Sequence, residues 1–322
     1  MRRKDDKTNY FLTKKFREEF TEKIQSIAPD YQIKNTLTEE DFAAVEISVG
    51  WAEKFEDQLL ATQKLKWVQS ISAGVDYLPL DKFSEQDILL SNGSGIHALS
   101  ISEHIIGVLL GYYRGLNEAV KKQTQKEWAQ KSIHYDQLAG KNLLVVGTGH
   151  IGQQLSKSIH SLGVNVFGIN TTGHSVEGFA ETYSIKNMAK IVPEMDIVVG
   201  ILPGTHETYH IFNSDIFEKM KKSAVFVNVG RGDTVHTKEL ITALEEKHFD
   251  FAALDVFEEE PLPKESPLWE FDNVLITPHI SGMTVDFQNK FMKIFLSNLK
   301  SYVSSKELTV SKCLITKYLH TK

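Results

Sequence analysis

The sequence feature that most constrains the fold is a series of six short apolar runs in the second half of the chain. Most of them are separated by segments with helical periodicity. Strands that are buried on both faces have continuous apolar sequences, and helices between them provide the crossovers of a parallel sheet. The series therefore predicts a parallel sheet covered on both faces. The six runs are 143–146, 164–167, 197–199, 225–227, 252–254 and 274–276.

A smaller α/β pattern precedes this series. Apolar residues at helical spacing predict a helix over 13–27, and short runs after it predict strands. A long helical pattern with only glycine interruptions follows at about 100–128, and we expect it to cross between two lobes. Two lobes also fit a length of 322 residues, because a domain usually has roughly 100–200 residues. The strands predicted in the smaller pattern are 31–33, 44–49, 67–71 and 88–90.

Charge and hydropathy exclude two classes of partner. Acidic residues outnumber basic ones by 42 to 36, and the formal net charge of −6 offers no surface for a nucleic-acid backbone. The most apolar stretch, 105–113, is far shorter than the ~20 residues that cross a bilayer. We therefore expect neither a nucleic-acid partner nor a membrane span.

The N-terminal segment and the cysteine content favour a cytoplasmic location. Residues 1–7 are basic with acidic interruptions, and the apolar core of a secretory signal does not follow them. Cys313 is the single cysteine of the sequence, so it cannot form an intrachain disulfide, and we interpret it as an ordinary side chain. A reducing compartment fits both observations.

A glycine motif directly follows the first strand of the longer series. Gly147, Gly149 and Gly152 have the GxGxxG spacing, with His150 and Ile151 between the last two, and a helical segment follows. In this context the first glycine makes a tight turn, the second lets a pyrophosphate approach the backbone, and the third packs the helix on the strand. The alternative is a purely structural turn. The strand before the motif and the helix after it favour dinucleotide binding.

The end of the next strand bears on the choice between NAD and NADP. A carboxylate is expected there, about 20 residues after the glycines, to bind the ribose 2′-hydroxyl of NAD. This chain has Asn170 instead, followed by Thr171, Thr172, a glycine and His174. Without the carboxylate a 2′-phosphate is not repelled, and the hydroxyls and imidazole could donate to it, which favours NADP. NAD stays open, because the segment has no arginine and an asparagine can also bond a ribose hydroxyl.

Three later side chains follow the last three predicted strands. They are Arg231 in a Gly-Arg-Gly turn, Glu260 and His279. Ligands bind at the carboxyl ends of the strands in an open parallel sheet. Reduction of a 2-keto acid requires a cation for the carboxylate and carbonyl, a proton donor that titrates near neutrality and a group that tunes this donor. Arg231, His279 and Glu260 supply these three functions in that order.

Plainer interpretations exist for these residues and their neighbours. Arg231 could be a surface residue of its turn, and His279 a hydrogen-bonded core histidine. Glu258 and Glu259 are interpreted as a solvated acidic run. The remaining histidines lack the spacing of metal ligands, so we expect no metal site and interpret them as surface or locally packed residues. They include His97, His104, His150, His160 and His206.

Together these segments resemble the D-isomer-specific 2-hydroxyacid dehydrogenase family, which includes the phosphoglycerate, glyoxylate/hydroxypyruvate and D-lactate dehydrogenases. The resemblance covers about residues 70–302. Four more segments contribute to it, namely Ile-Ser-Ala-Gly-Val-Asp at 71–76, Ser-Glu-His at 102–104, Leu-Ala-Gly-Lys at 138–141, and Leu-Pro-Gly-Thr at 202–205 with Glu207 and Thr208 after it.

The resemblance implies an α/β chain with two Rossmann-like lobes. A doubly wound, parallel-sheet NAD(P)-binding domain, residues 99–280, would be inserted into a smaller flavodoxin-like substrate domain, residues 1–98 and 281–322. It also implies NAD(P)-dependent hydride transfer to a small 2-keto acid. Glyoxylate, hydroxypyruvate, pyruvate and branched 2-keto acids all stay open as substrates.

The resemblance further implies roles for individual residues. His279 would protonate the carbonyl oxygen during reduction, Glu260 would stabilise its imidazolium form, and Arg231 would bind the substrate carboxylate and carbonyl. Backbone amides of the smaller lobe would bind the carboxylate, and loops of the other lobe would line the cofactor. The amides are those of Ala73, Gly74 and Val75, and the lining residues are Pro203, Gly204, Thr208, Val229 and Gly230, with Asp255 holding the nicotinamide carboxamide.

The helix from Ser100 onward resembles the dimer-forming arm of the family. Its apolar face would be too large to leave exposed, so we expect a homodimer. The alternative is that this face packs only inside its own lobe. The face comprises Ile105, Ile106, Leu109, Leu110 and Tyr113.

The start of the chain departs from the family. Members usually begin with an apolar strand, whereas residues 1–9 are strongly polar and are predicted not to form one. Either 10–12 is a vestigial strand, or the smaller sheet lacks its first member.

Two other functions are weighed against the dehydrogenase. The fold also serves non-catalytic dinucleotide-sensing proteins, but such a protein does not need a tuned proton donor. An enzyme that uses S-adenosylmethionine could share the glycine turn, but its chemistry requires none of Arg231, Glu260 and His279.

Overall fold

The computed structural model of this chain describes residues 8–75 and 77–306. The chain divides into two compact units, one up to Ile96 and again from Val285, the other from His97 to Thr284. The sequence prediction put the two boundaries after residues 98 and 280, within a few residues of these positions. Three predictions concern residues outside the described ranges: Cys313, Asp76, and the segment 1–7 on which the expected cytoplasmic location depends.

The smaller unit alternates strands and helices up to Ile96. In chain order these are β1 (Thr8–Leu12), α1 (Glu18–Ile27), β2 (Tyr31–Lys34), α2 (Glu39–Phe42), β3 (Val45–Val49), α3 (Glu56–Ala61), β4 (Trp67–Gln69), α4 (Leu80–Glu85) and β5 (Leu89–Ser91).

The larger unit begins with two helices and continues with alternating strands and helices. In chain order these are α5 (Ala98–Tyr113), α6 (Leu116–Thr124), β6 (Asn142–Val146), α7 (His150–His160), β7 (Asn165–Asn170), β8 (Thr182–Ser184), α8 (Met188–Ile191), β9 (Ile197–Gly200), α9 (Ser214–Phe217), β10 (Val225–Asn228), α10 (Thr237–Glu245), β11 (Phe251–Leu254) and β12 (Val274–Ile276). The last helix, α11 (Phe287–Ser305), belongs to the smaller unit.

The sheet of the smaller unit has the strand order β2-β1-β3-β4-β5, and its strands are parallel. This is the flavodoxin-like order. Trp67 of β4 is fully buried and packs against Phe295 and Tyr302 of α11. The last helix therefore covers one face of this sheet, so the two sequence-distant parts of the unit share one core.

β1 shows whether the smaller sheet has its first strand, which the polar N-terminal segment left open. It is central in its sheet, paired with β2 on one side and β3 on the other. Tyr10 and Leu12 enter the core on one face and Phe11 the core on the other, and all three are buried. The prediction that residue 9 lies outside a strand is wrong, because Asn9 pairs with both neighbours and is also buried. The smaller sheet therefore has its first member.

The sheet of the larger unit runs β12-β11-β10-β9-β6-β7-β8, and each of its pairings is parallel. Alternate residues of β6 enter different cores: Leu144 and Val146 pack on one face, Leu143 and Val145 on the other. The predicted fold class, a doubly wound parallel sheet together with a smaller flavodoxin-like sheet, is confirmed. The sequence prediction missed β8, because this edge strand is short and has no apolar run.

The long helix predicted over 100–128 is two helices. α5 ends at Tyr113, and Gly115 then has a left-handed backbone with φ of +65°. A Cβ at this position would lie 2.4 Å from Ile133, so both the conformation and the packing require glycine. α6 ends at Thr124, before Trp128. Within the described ranges, no helix is long and apolar enough to span a membrane.

The apolar face that the sequence assigned to a dimer contact packs inside its own unit. Ile105, Leu109 and Tyr113 are buried, and Ile106 and Leu110 pack against the same core. The prediction of the contact face is therefore wrong, because this face covers the larger sheet. The exposed large apolar side chains around these helices are instead Leu99, Leu116, Val120, Trp128 and Tyr135.

Candidate active site

The order of the larger sheet reverses around β6. This strand pairs with β7 on one side and with β9 on the other. The next two strands in the chain, β7 and β8, therefore lie on one side of β6, and β9 to β12 lie on the other. Ligands of open parallel sheets bind outside the carboxyl ends of the strands at such a switch point. The glycine motif directly follows β6 and therefore lies at this point.

Each of the three glycines of the motif is required, or fits its position, for a different structural reason. Gly147 has a left-handed backbone with φ of +117°. A Cβ on Gly152 would lie 2.3 Å from the carbonyl oxygen of Gly147, so α7 can pack this closely only with glycine. At Gly149 a Cβ would meet no described atom within 4 Å, which leaves open space above the turn.

This open space adjoins the start of α7, whose first two residues are His150 and Ile151. The first N–H groups of a helix have no intrahelical acceptor, and the helix dipole favours an anion there. The turn therefore fits the pyrophosphate of a dinucleotide. The role that the sequence predicted for the individual residues of the motif stays a prediction.

Asn170 at the end of β7 shapes the loop that follows. Its Oδ1 accepts hydrogen bonds from the N–H groups of Thr172 and Gly173, at 3.3 and 2.6 Å, and its Nδ2 donates to the carbonyl oxygen of His174 at 2.9 Å. The loop exposes Thr171, Thr172 and His174, and the hydroxyl of Thr172 lies 3.0 Å from Nδ1 of His174. The side chain of Asn170 is thus engaged in the turn, and the exposed polar groups belong to the residues after it.

The loop after β9 carries further residues predicted to line the cofactor. Thr208 is buried, and its hydroxyl donates to the carbonyl oxygen of Pro203 at 2.6 Å and accepts from the N–H of Thr205 at 2.9 Å. Thr208 therefore folds the loop, while Pro203 is exposed. A Cβ on Gly204 would lie 2.9 Å from the carboxylate of Asp233, so glycine allows this close packing.

Arg231 is held between two glycines that touch neighbouring backbone. A Cβ on Gly230 would lie 2.5 Å from the carbonyl oxygen of Leu202, and one on Gly232 would lie 1.9 Å from the carbonyl group of Phe257. The loop after β10 is therefore packed between the loops after β9 and β11. Its conformation is fixed by Asn228, which donates to the carbonyl oxygen of Arg231 at 3.1 Å and accepts from the N–H of Gly230 at 3.2 Å. Val229, between them, is buried.

His279 and Glu260 form a hydrogen-bonded pair. Nδ1 of His279 lies 2.7 Å from Oε2 of Glu260, and Oε1 of the same carboxylate accepts the N–H of Phe257 at 3.0 Å. An ionised carboxylate only accepts hydrogen bonds, so Nδ1 carries the proton and Nε2 is the nitrogen that can exchange one. The side chain of His279 is 52% exposed, which leaves the ring accessible.

Asp255 anchors the turn that presents His279. The residue is buried, and its carboxylate accepts the hydroxyl of Thr277 at 2.5 Å and the N–H groups of Ile280 and Ser281, each at 2.9 Å. Burial alone would raise the pKa of Asp255, but these hydrogen bonds outweigh it and the pKa is lowered. The backbone of His279 is left-handed, with φ of +53°, inside this turn. The predicted contact of Asp255 with the nicotinamide stays a prediction.

A loop of the smaller unit, predicted from the sequence to bind the substrate carboxylate, has three consecutive backbone donors. Among the described residues, the N–H groups of Ala73, Gly74 and Val75 have no hydrogen-bond acceptor. Successive free N–H groups form a site for an anion such as a carboxylate. The loop is held by Asn92, which donates to the carbonyl oxygen of Ala73 at 2.5 Å, and by the hydroxyl of Tyr77, which lies 3.0 Å from that of Ser70.

Comparison with known proteins identifies the family. A model described as "D-isomer specific 2-hydroxyacid dehydrogenase, NAD binding domain" matches residues 106–281. This match covers more than half of the chain. The chain belongs to the D-isomer specific 2-hydroxyacid dehydrogenase family.

Relatives of this dehydrogenase cover nearly the whole chain. The glyoxylate/hydroxypyruvate reductase B of Enterobacter sp. (strain 638) is 33% identical over 298 residues, which are 89% of this chain and 90% of the relative. A crystal structure of a family protein from Aeromonas salmonicida subsp. salmonicida A449 has a TM-score of 0.82 at 33% identity, covering 94% of this chain and 98% of the other. A probable 2-hydroxyacid dehydrogenase from Rhizobium etli CFN 42, in complex with NADP, HEPES and L(+)-tartaric acid, has a TM-score of 0.77 at 26% identity and covers 94% and 96%.

The dehydrogenase is an NAD(P)-dependent oxidoreductase. Its glycine turn has the open space and the helix start that such a cofactor requires. Within the described residues, no group of three or more His, Cys, Asp and Glu side chains could hold a metal ion. Of the histidines interpreted as locally packed, His97 lies 2.7 Å from the carbonyl oxygen of Gly282 and His104 lies 3.3 Å from the hydroxyl of Thr277.

Glu258 is exposed, as the sequence predicted, but its carboxylate also has hydrogen-bond partners in other loops. Its Oε1 lies 2.6 Å from Nε2 of His210, and its Oε2 accepts the N–H of Thr237 at 2.8 Å. Its neighbour Glu259 is exposed, as predicted. The acidic run alone contains no signal for this difference, because the partners of Glu258 come from two other loops.

The close packing of Gly152 generates a test of the cofactor site. Gly152→Ala should weaken NAD(P)H binding roughly tenfold or more, since overpacking costs about 1–3 kcal/mol and would move α7 away from the turn. Cofactor affinity can be measured by titration of nicotinamide fluorescence. Gly107→Ala in α5 is the matched control, because a Cβ there meets no described atom within 4 Å. Equal affinities of the two variants would contradict the assigned role.

Proposed function

We propose that this dehydrogenase reduces small 2-keto acids to D-2-hydroxy acids and that His279 supplies the proton. The observation that carries the proposal is the pair of His279 and Glu260, 2.7 Å apart in loops at the carboxyl edge of the nucleotide-binding sheet. Bound NAD(P)H supplies the hydride, which is added to the carbonyl carbon C2. The carbonyl oxygen gains the proton, so the carbonyl group becomes an alcohol and the charges balance.

The residues of the chain have separate tasks in this reaction. His279 donates its proton from Nε2 and takes one back during oxidation, while Glu260 on Nδ1 stabilises the imidazolium. Arg231 binds the substrate carboxylate and polarises the carbonyl, since a guanidinium matches both oxygens. The N–H groups of residues 73–75 receive the carboxylate.

Two features favour glyoxylate and hydroxypyruvate as substrates. The Enterobacter relative is named for these two acids. The loop after β4, which has the free N–H groups, also has three hydroxyl groups that hydrogen-bond to one another, those of Ser70, Ser72 and Tyr77. A non-catalytic dinucleotide sensor is less consistent with the pair of His279 and Glu260, because binding alone does not need an oriented imidazole.

The proton role of His279 predicts a selective loss of turnover. His279→Gln should lower kcat about 10²–10⁴-fold, as expected for the loss of a general acid. Cofactor affinity should be unchanged, because the glycine turn remains intact. Loss of nicotinamide absorbance is measured with glyoxylate, hydroxypyruvate, pyruvate and a branched 2-keto acid. His160→Gln, at the exposed end of α7, is the control. Undiminished turnover in His279→Gln would remove this mechanism.

We also propose that NADPH is preferred over NADH. The end of β7 has no carboxylate to repel a 2′-phosphate, and Thr171, Thr172 and His174 are exposed beside it. The Rhizobium etli structure contains NADP. Asn170 supports this site indirectly, because its side chain folds the turn that presents these groups.

This cofactor site predicts a change in NADPH use alone. His174→Ala should raise KM for NADPH about tenfold, since a hydrogen bond to a charged group contributes about 1.5–3 kcal/mol. KM for NADH should stay the same. The comparison is made with both cofactors on wild type, His174→Ala and the control His160→Ala. A wild-type preference for NADH would contradict the 2′-phosphate site but leave the role of His279 intact.

We propose further that the chain forms a homodimer through the exposed apolar side chains around α5 and α6. Sedimentation velocity should give twice the mass of the chain. Val120→Asp should shift the protein towards the monomer, because Val120 is 61% exposed and a charge there would be buried in the contact. The exposed Lys157→Asp is the control. A wild-type monomer over the whole concentration range would contradict this contact.

A further inference from the structure

Three consecutive glutamates, 258–260, have three different environments. Glu260 is bonded to His279, and Glu259 is exposed. The side chain of Glu258 is 31% exposed, and each of its carboxylate oxygens has a hydrogen-bond partner, His210 or Thr237. Neither the proposed reaction nor the family comparison gives Glu258 a role.

Glu258 joins three loops at the carboxyl edge of the larger sheet. The residue itself follows β11, His210 lies in the loop after β9, and Thr237 begins α10 after β10. His210 is in turn fixed by its N–H, which donates to the carbonyl oxygen of Asp233 at 2.9 Å, and by its ring, which stacks on Tyr209 at 3.8 Å. The carboxylate therefore connects backbone segments that have no covalent link nearby.

The segment that Glu258 holds contacts the reaction machinery through its neighbour Phe257. The N–H of Phe257 donates to Glu260, and the carbonyl group of Phe257 packs against Gly232, next to Arg231. A shift of this segment would move the partner of His279 and loosen the Arg231 loop together.

We propose that Glu258 is a positioning residue for the proposed reaction, which holds Glu260 against His279 and keeps the Arg231 loop packed through its bonds to His210 and Thr237. The proposal rests on the proposed function of His279. It assigns the acidic run two functional members, Glu258 and Glu260, and one solvated member, Glu259.

The electrostatic surroundings keep Glu258 ionised. Burial alone would raise the pKa of Glu258, but the hydrogen bonds from Thr237 and His210 outweigh it and the pKa is lowered. The other titratable groups near the pair are His236, whose ring lies 4.4 Å from that of His210, and Glu239, which lies 3.7 Å from His236. The ring of His279 is hydrogen-bonded to the carboxylate of Glu260, and its backbone N–H donates to the carbonyl oxygen of Asp255.

The test compares Glu258→Gln with Glu259→Gln. Both changes remove one carboxylate charge from adjacent positions, but only the first affects the bonds to His210 and Thr237. Glu258→Gln should lower kcat about tenfold, because displacements of 1 Å cost up to about 100-fold in rate. KM for the cofactor should not change. Glu259→Gln should behave as wild type.

Two further readouts separate positioning from a general loss of stability. In Glu258→Gln the limb of the pH–kcat profile that reports protonation of His279 should move to lower pH, because a displaced Glu260 stabilises the imidazolium less. The NMR titration of the His279 imidazole, measured without substrate, should move to lower pH by the same amount. His210→Phe keeps a ring for the stacking on Tyr209 but loses the bond to Glu258. It should shift the pH–kcat profile and the His279 titration in the same direction as Glu258→Gln, and it replaces that variant if Glu258→Gln does not fold.

The outcomes are separable. If Glu258→Gln and Glu259→Gln agree in kcat, pH profile and His279 titration, the role of Glu258 is overturned while the proposed function stands. A lower unfolding temperature in Glu258→Gln with unchanged pH profile and titration also overturns it. If the wild type reduces no 2-keto acid, the proposed function fails, and the NMR titration alone decides whether Glu258 holds the pair of His279 and Glu260.

Discussion

The parallel direction of the strands in the larger sheet is the constraint on which the rest of the site depends. Because β6, β7 and β9 to β12 run the same way, their carboxyl ends meet at one edge. Loops that are far apart in sequence are thereby brought next to each other. The strand order reverses at β6, and the glycine turn lies at this switch point, where ligands of open parallel sheets bind.

Close contact between backbones fixes these loops, and glycine makes the contact possible. Gly152 lets α7 pack on the turn, and Gly232 lets the Arg231 loop lie against Phe257. Each contact leaves no room for a Cβ. The backbone at Arg231 can pack this closely because its two neighbours have no side chains.

Hydrogen bonds to carboxylates also fix the conformation of these loops. Asp255 is buried and accepts two backbone N–H groups, which offsets the cost of removing its charge from water, and Glu260 accepts the N–H of Phe257. Asp255 folds the turn around His279, and Glu260 sets the orientation of its ring. The imidazole of His279 is therefore held from both its backbone and its Nδ1, while its side chain stays half exposed.

The sequence by itself determined the fold class and the position of the glycine turn, and its resemblance to the family implied the pairing of His279 with Glu260. Continuous apolar runs and a glycine spacing are local patterns, and the physical reason for each lies within a few residues. The tertiary structure alone decided the other points. β1 forms from a polar start because it pairs on both sides, the face of α5 is covered by its own sheet, and Glu258 is engaged because His210 and Thr237 arrive from other loops. In each case the partner is distant in sequence, so the local sequence pattern could not predict the contact.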